Sequence, residues 1–310
     1  MNSTEFLLLL HSIPHIGEKA LARLLRLASQ QRLTPEMFLS MNSDEWQTRC
    51  ELHPDAVGAL ATQRDALIGK SAELARTLRA HGIQLLSVES ATYPARLIRN
   101  DDAPPPLLYA LGSLPLLDWS YKADRFTFTI AVSNGASSAS LEMLDAMATE
   151  LSAAGGIPVT GHDRAPYQRL ALAAQRHNRP VIYVLDRGLR EALGPRFDRP
   201  AFAAARIRDA EFDTTRDLAL SPFRLDDHSI GAHNRRRDEL VFALADLVIA
   251  LDVRAGGGMA DACQRAVEQG RAVYAAEGGR EGCRALLANG CAPLPTGSAW
   301  LSEIRKAIRK

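Results

Sequence analysis

Three short segments of this sequence carry the residue types that hold a phosphate, and each follows an apolar run. The first is Ser133-Asn134-Gly135-Ala136-Ser137-Ser138. Its small side chains let a ligand approach the main chain, and the free N–H groups of the helix start that follows favour an anion. The same residues also suit a plain turn with a serine N-cap, so this segment alone does not choose between the two. The second is Gly161-His162-Asp163-Arg164-Ala165-Pro166-Tyr167, in which Arg164 can pair with a phosphate and His162 or Tyr167 can stack on a base. The third is Asp252-Val253-Arg254-Ala255-Gly256-Gly257-Gly258. Three glycines before a helix carry an entropic cost, which close approach of a ligand or of another main chain would explain. A fourth cationic group, Arg235-Arg236-Arg237, is read as opening a helix at residue 236. Arginine at a helix start opposes the dipole, and a polyanion would compensate it, so this cluster is the strongest local candidate for nucleic-acid backbone contact.

Catalytic patterns are missing. The sequence has no Gly-x-Ser-x-Gly elbow, no His-Glu-x-x-His and no Gly-x-x-x-x-Gly-Lys-Ser/Thr phosphate loop. It has no Gly-x-Gly-x-x-Gly after a strand, and Thr160-Gly161-His162 offers no ribose-binding acid, which argues against a nicotinamide dehydrogenase. Asp252 and Asp261 are the one carboxylate pair near a strand end, and they read as a helix cap or solvated groups. His228 and His233 lack helical metal-ligand spacing. No catalytic residue, metal or cofactor is expected, and the chain reads as a binding protein.

Loops of this kind need strands behind them. From Phe126 onward, apolar runs alternate with helical patterns: strands at 126–132, 157–160, 181–185, 247–251 and 272–276, and helices at 139–154, 166–177, 236–245, 259–268, 284–288 and 299–309. A loop is expected at 118–124, and 188–217 is too rich in arginine and proline to assign. Continuous apolar strands separated by helices are buried on both faces, which means an α/β Rossmann-like, doubly wound, mostly parallel sheet. Residues 1–82 read as a separate all-helical domain, with Ile13-Pro14-His15-Ile16-Gly17 as a tight turn between two helices. Strands at 83–88 and 107–111, around an irregular segment and the prolines at 104–106, open the second domain, 83–310.

Composition sets the limits. The 310 residues are 46% hydrophobic and 24% charged, with 37 Lys plus Arg against 36 Asp plus Glu, so no overall cationic field attracts a polyanion and any nucleic-acid site is local. Four cysteines, none in a Cys-x-x-Cys pair, suit a reducing cytoplasmic setting. No apolar run is long enough for a membrane span.

Four motifs then occur in order. Tyr93-Pro94-Ala95-Arg96-Leu97 precedes Pro104-Pro105-Pro106-Leu107-Leu108-Tyr109-Ala110-Leu111-Gly112; residues 244–250 read Leu-Ala-Asp-Leu-Val-Ile-Ala; residues 266–275 read Ala-Val-Glu-Gln-Gly-Arg-Ala-Val-Tyr-Ala; and Gly282-Cys283-Arg284 leads to Cys291. Together, across residues 5–303, they resemble the DNA-processing protein A (DprA, or Smf) family, with its YPxxL...PPxxLYxxG, LSDxVLVV, AxEQGRxVFA and GCNxLIxxGA segments. The resemblance implies a single-stranded-DNA-binding protein that protects the strand and hands it to a RecA-type recombinase in recombination and natural transformation. It also implies a homodimer through the Rossmann-like (SLOG) domain and a helix-hairpin-helix or sterile-alpha-motif-like N-terminal module. The chain stops about ten residues after Trp300, so the winged helix of many members is not expected.

The departures fall on ligand segments. The family's Gly-Ser-Arg reads Ser133-Asn134-Gly135, its SGxAxGID reads Thr160 to Tyr167, its RRNRIIAG reads Arg236 to Ala243, and its GCN asparagine is Arg284. A nucleotide or signalling-ligand sensor using the same pocket is therefore the alternative. A phosphoribohydrolase resembling the LOG enzymes is weaker, because Gly256-Gly257-Gly258-Met259-Ala260-Asp261 lacks their threonine and glutamate.

Overall fold

Asn2 starts the first helix by exchanging hydrogen bonds with Glu5: its side chain accepts from the Glu5 N–H at 2.9 Å, and its own N–H donates to the Glu5 carboxylate at 3.0 Å. Asn42 and Glu45 repeat the device at the fourth helix. The structure, a computed structural model, describes residues 1–117, 125–202, 205, 211–297 and 300–308. The loop expected at 118–124 and residues 299 and 309 of the expected 299–309 helix lie outside the described residues.

Contacts divide the chain into two compact units, Met1–Tyr93 with Ala103–Ala110, and Pro94–Asp102 with Leu111–Lys310. The first runs past residue 82 because it keeps a strand pair. It holds α1 (Ser3–Ser12), α2 (Glu18–Gln30), α3 (Pro35–Ser40), α4 (Ser43–Thr48), α5 (Pro54–Ala80) and β1 (Gln84–Ser87). After α6 (Ala95–Asn100) of the second unit, β2 (Leu107–Gly112) pairs antiparallel with β1, Leu85 opposite Tyr109. The helical core gathers Leu9, Leu24, Phe38, Trp46 and Leu60, and the Trp46 indole N–H reaches the Phe38 carbonyl at 2.9 Å, so this large side chain is buried without an unmet donor.

The second unit continues with β3 (Phe126–Val132), α7 (Ser138–Ala153), β4 (Gly156–Thr160), α8 (Ala165–Arg176), β5 (Ile182–Val184), α9 (Leu189–Leu193) and β6 (Leu218–Ser221). It ends with α10 (Gly231–Leu244), β7 (Leu247–Asp252), α11 (Gly258–Glu268), β8 (Ala272–Ala275), α12 (Glu281–Ala288), β9 (Ala292–Pro293) and α13 (Trp300–Ile308). Seven strands lie parallel in the order β6-β5-β4-β3-β7-β8-β9. Every residue of β3, β4 and β7 is buried, as a sheet covered on both faces requires. The fold is α/β and Rossmann-like.

Two segments escape periodicity. β6 emerges from the unassigned stretch as four residues whose preceding Asp217 is fully buried, its carboxylate taking the Val181 N–H at 3.0 Å. α10 starts at Gly231, five residues before the expected position. Arg235, Arg236 and Arg237 thus lie in its second turn, and the dipole argument for a compensating polyanion does not apply to them.

Candidate functional site

The chain leaves β3 toward β4 on one side and returns to β7 on the other, so β3 and β7 are neighbours from which the loops diverge. Ligands in such sheets bind in the crevice at that point, beyond the carboxyl ends. Here it is a cavity of about 480 Å³ lined by Ser133 and Asn134 after β3, Arg164 after β4, Asn234, Arg235 and Asp238 of α10, Arg254 to Met259 after β7, and Glu281 of α12.

The two central loops are tied together. Ser133 N–H donates to the Asp252 carbonyl at 2.9 Å, and Arg254 N–H donates to the Ser133 hydroxyl at 3.1 Å. Gly256 has φ +67°, a left-handed conformation that glycine adopts without strain. No side chain caps α11, whose first residues Gly258 and Met259 line the cavity, so a helix start with unclaimed N–H groups faces it.

Three arginines and two carboxylates line the cavity. Arg254 is exposed and makes no ion pair among the described residues. The Arg235 side chain is 62% exposed, and its ion pair among the described residues is with Glu239, at 3.3 Å. Arg164 lies 3.7 Å from Asp163 and 3.8 Å from Asp238, distances that leave its guanidinium loosely held. An anion placed in the cavity would face these three arginines and the α11 amides, with Asp238 and Glu281 opposing it.

The other expected residues stand elsewhere. Tyr167 is 2% exposed, its hydroxyl donates to Asp238 at 2.5 Å and the Arg237 guanidinium lies 5.0 Å over its ring, so it has no face for a base. Arg237 is fully buried and is spent on Asp163, Asp238 and Asn234. Arg236 is bound to Asp101 at 2.9 Å and Glu239 at 3.3 Å. His162 is buried, with Nε2 3.7 Å from Asp186; burial lowers its pKa, against the pull of Asp186. Gly161 supports packing, since a Cβ there would come 2.7 Å from the Tyr167 ring. Gly135 forms the turn at φ +72°, Ser137 caps α7 by accepting from Ser140 N–H at 3.1 Å, and Ser138 is the first residue of that helix. The structure brings together Ser133, Asn134, Arg164, Arg235, Arg254, Gly256, Gly257 and Gly258.

Asn234 and Glu281 join the cavity without a motif to announce them, and Asp238 joins it from within the Arg236–Ala243 segment. Asn234 and Asp238 stand four residues apart on α10, the spacing that puts two side chains on one helix face. Glu281 follows Gly278-Gly279-Arg280 at the end of β8, the place where a strand-end loop would be sought. Arg280, also unannounced, lies beside the cavity with its guanidinium on Asp252, Ser133 and Asn134.

The family model described as DNA recombination-mediator protein A matches residues 84–304. No curated protein matches the chain. Among solved structures, the chain is similar to DNA processing protein A (DprA) from Streptococcus pneumoniae, at 19% identity and a TM-score of 0.72 over 98% of this chain and 99% of that one. It is also similar to DNA processing protein A from Helicobacter pylori, solved for its unique single-stranded DNA binding mode, at 20% identity and a TM-score of 0.56 over 73% and 96%. At these identities the likeness is one of fold.

Proposed function

Because the chain belongs to the DNA recombination-mediator protein A family, we propose that it binds single-stranded DNA at the β3–β7 crevice, protects it and passes it to a RecA-type recombinase, without catalysing a reaction. The observation that carries this reading is the convergence of Arg164, Arg235 and Arg254 on an uncapped helix start at the point where the strand order reverses. Main-chain amides and guanidinium groups recognise phosphate oxygens whatever the base. No aromatic side chain lines the cavity among the described residues, so affinity comes from the backbone of the strand and binding is largely indifferent to sequence. Nothing in the reading requires a cofactor.

Family membership also supports a homodimer through the Rossmann-like unit and an N-terminal module of the helix-hairpin-helix type; sedimentation of the purified chain showing a monomer at all concentrations would remove the first. Among the described residues no helix is long and apolar enough to cross a membrane. Fluorescence anisotropy with a short labelled single strand at low salt tests the reading. Saturable binding is expected, and none would overturn it.

One observation favours a second reading. A cavity of about 480 Å³ carrying carboxylates beside its arginines suits one small phosphorylated nucleotide. Thermal shift against nucleoside monophosphates separates the two, since a ligand at 100 times its Kd adds about 2.7 kcal/mol of stability. A shift with nucleotides, and none with oligonucleotides, would favour the sensor.

A further inference from the structure

Arg280 is the last residue before α12, and its side chain does not follow that helix. Nε donates to Asp252 Oδ1 at 2.5 Å, Nη2 to the Ser133 carbonyl at 3.1 Å and the Asp252 carbonyl at 3.3 Å, and Nη1 to the Asn134 carbonyl at 3.3 Å. One guanidinium therefore spans the end of β7 and the loop after β3. Asp252 is 5% exposed, and Arg280 is its ion-pair partner. Without it, an unmatched carboxylate would sit beside an anion site, and the carbonyl oxygens of Ser133, Asn134 and Asp252 would each lose a donor.

The segment bearing Arg280 is itself built for close approach. A Cβ on Gly282 would lie 2.5 Å from the Val253 carbonyl oxygen, and the Gly282 N–H donates to that oxygen at 3.0 Å. The Val253 N–H in turn reaches the Cys283 sulfur at 3.4 Å. The start of α12 is thus fastened to the chain leaving β7, which fixes where the Arg280 guanidinium can reach.

We propose that Arg280 is the positioning residue of this site: it joins the Ser133–Asn134 loop to the Asp252–Arg254 strand end and neutralises Asp252, holding the anion cradle formed before ligand arrives. It acts through its neighbours, not by touching phosphate, since four hydrogen bonds already occupy all three of its guanidinium nitrogens. The inference rests on the anion-binding reading of the crevice. The loop Ser133-Asn134-Gly135 has no arginine of its own, and the guanidinium on its carbonyls comes from the residue before α12.

The test compares the full chain with Arg280→Ala, Arg280→Lys and the double variant Arg280→Ala/Asp252→Asn. Two readouts are needed: amide hydrogen exchange without ligand, and salt-dependent binding of a labelled single strand. Arg280→Ala should speed exchange at the Ser133 and Arg254 amides and weaken binding about tenfold, by analogy with the lower end of the loss when residues that orient the ligands of a metal site are removed. The slope of log affinity against log salt should stay unchanged. Arg280→Lys keeps a charge but not the fork, so it should still speed exchange. The double variant should recover part of the affinity because no buried carboxylate is left unmatched. Unchanged exchange in Arg280→Ala and Arg280→Lys would overturn the proposal. So would a slope reduced by about 0.7 in Arg280→Ala, the signature of a lost phosphate contact. If the unaltered chain binds no strand, the function reading fails, and hydrogen exchange alone still decides Arg280.

Discussion

Arg235, Arg236 and Arg237 are consecutive in sequence and have three different tasks. Only Arg235 reaches the cavity with an exposed guanidinium; Arg236 is tied to Asp101, and Arg237 is fully buried against Asp163, Asp238 and Tyr167. Replacing Arg237 with alanine leaves two carboxylates without their buried partner and should cost about 3–5 kcal/mol in urea unfolding. Arg235→Ala should change stability by no more than about 0.5 kcal/mol, because its side chain lies at the surface. His162 sets a pH dependence. Burial lowers its pKa from 6.5, against Asp186 and Asp163, with Arg187 and Arg237 adding to the lowering. The unfolded chain therefore takes up the proton first, and stability should fall as pH drops below 6.5 toward the lower folded value. His162→Gln should flatten that part of the curve. Asp186 contributes a separate limb at lower pH. Burial would raise its pKa, but hydrogen bonds from Arg187 and Ser229 win and hold it at about 2, so its stabilisation is present above 3.8 and is lost as pH falls through about 2.

Elements were legible where their pattern was long. Phe126–Val132 reads as a buried strand and is one, and α7, α8 and α11 lie within a residue or so of their sequence positions because apolar spacing specifies them. β6 and β9, of four and two residues, carry too few side chains to show a period. The motifs shared with the family turn out to hold the scaffold. Arg96 of the Tyr-Pro segment is buried and pairs with Asp246 at 3.1 Å, and Arg271 of the Glu-Gln-Gly-Arg segment donates to the Phe242 and Ala245 carbonyls at the end of α10. The site was harder to read because exposure is not written in residue type. Tyr167 and Arg254 are equally suited to nucleic acid by chemistry, yet one is walled in by Arg237 and Asp238 and the other faces the cavity. Asp238 and Glu281 are single acids whose place is set by helices that begin far apart in sequence. In the helical unit, Trp46→Ala should cost about 3–5 kcal/mol, the range for removing a buried aromatic side chain, read as a lower urea midpoint.

At the scale of the whole molecule, a formal charge of +1 provides little long-range attraction, so association with a polyanion depends on the cationic side of one crevice. Binding should therefore respond to salt through few phosphates and weaken far less steeply than in proteins that contact many. On the proposed reading, Arg254 and Arg235 neutralise phosphates of a single strand at the β3–β7 crevice, whereas the buried arginines hold the fold. The most direct measurement is the slope of log affinity against log salt for a short single strand, taken for the unaltered chain and for Arg254→Ala and Arg235→Ala. Each variant should lose about 0.7 from the magnitude of the slope, the value for one phosphate on a single strand. Slopes identical in all three proteins, or no binding by the unaltered chain at low salt, would contradict it.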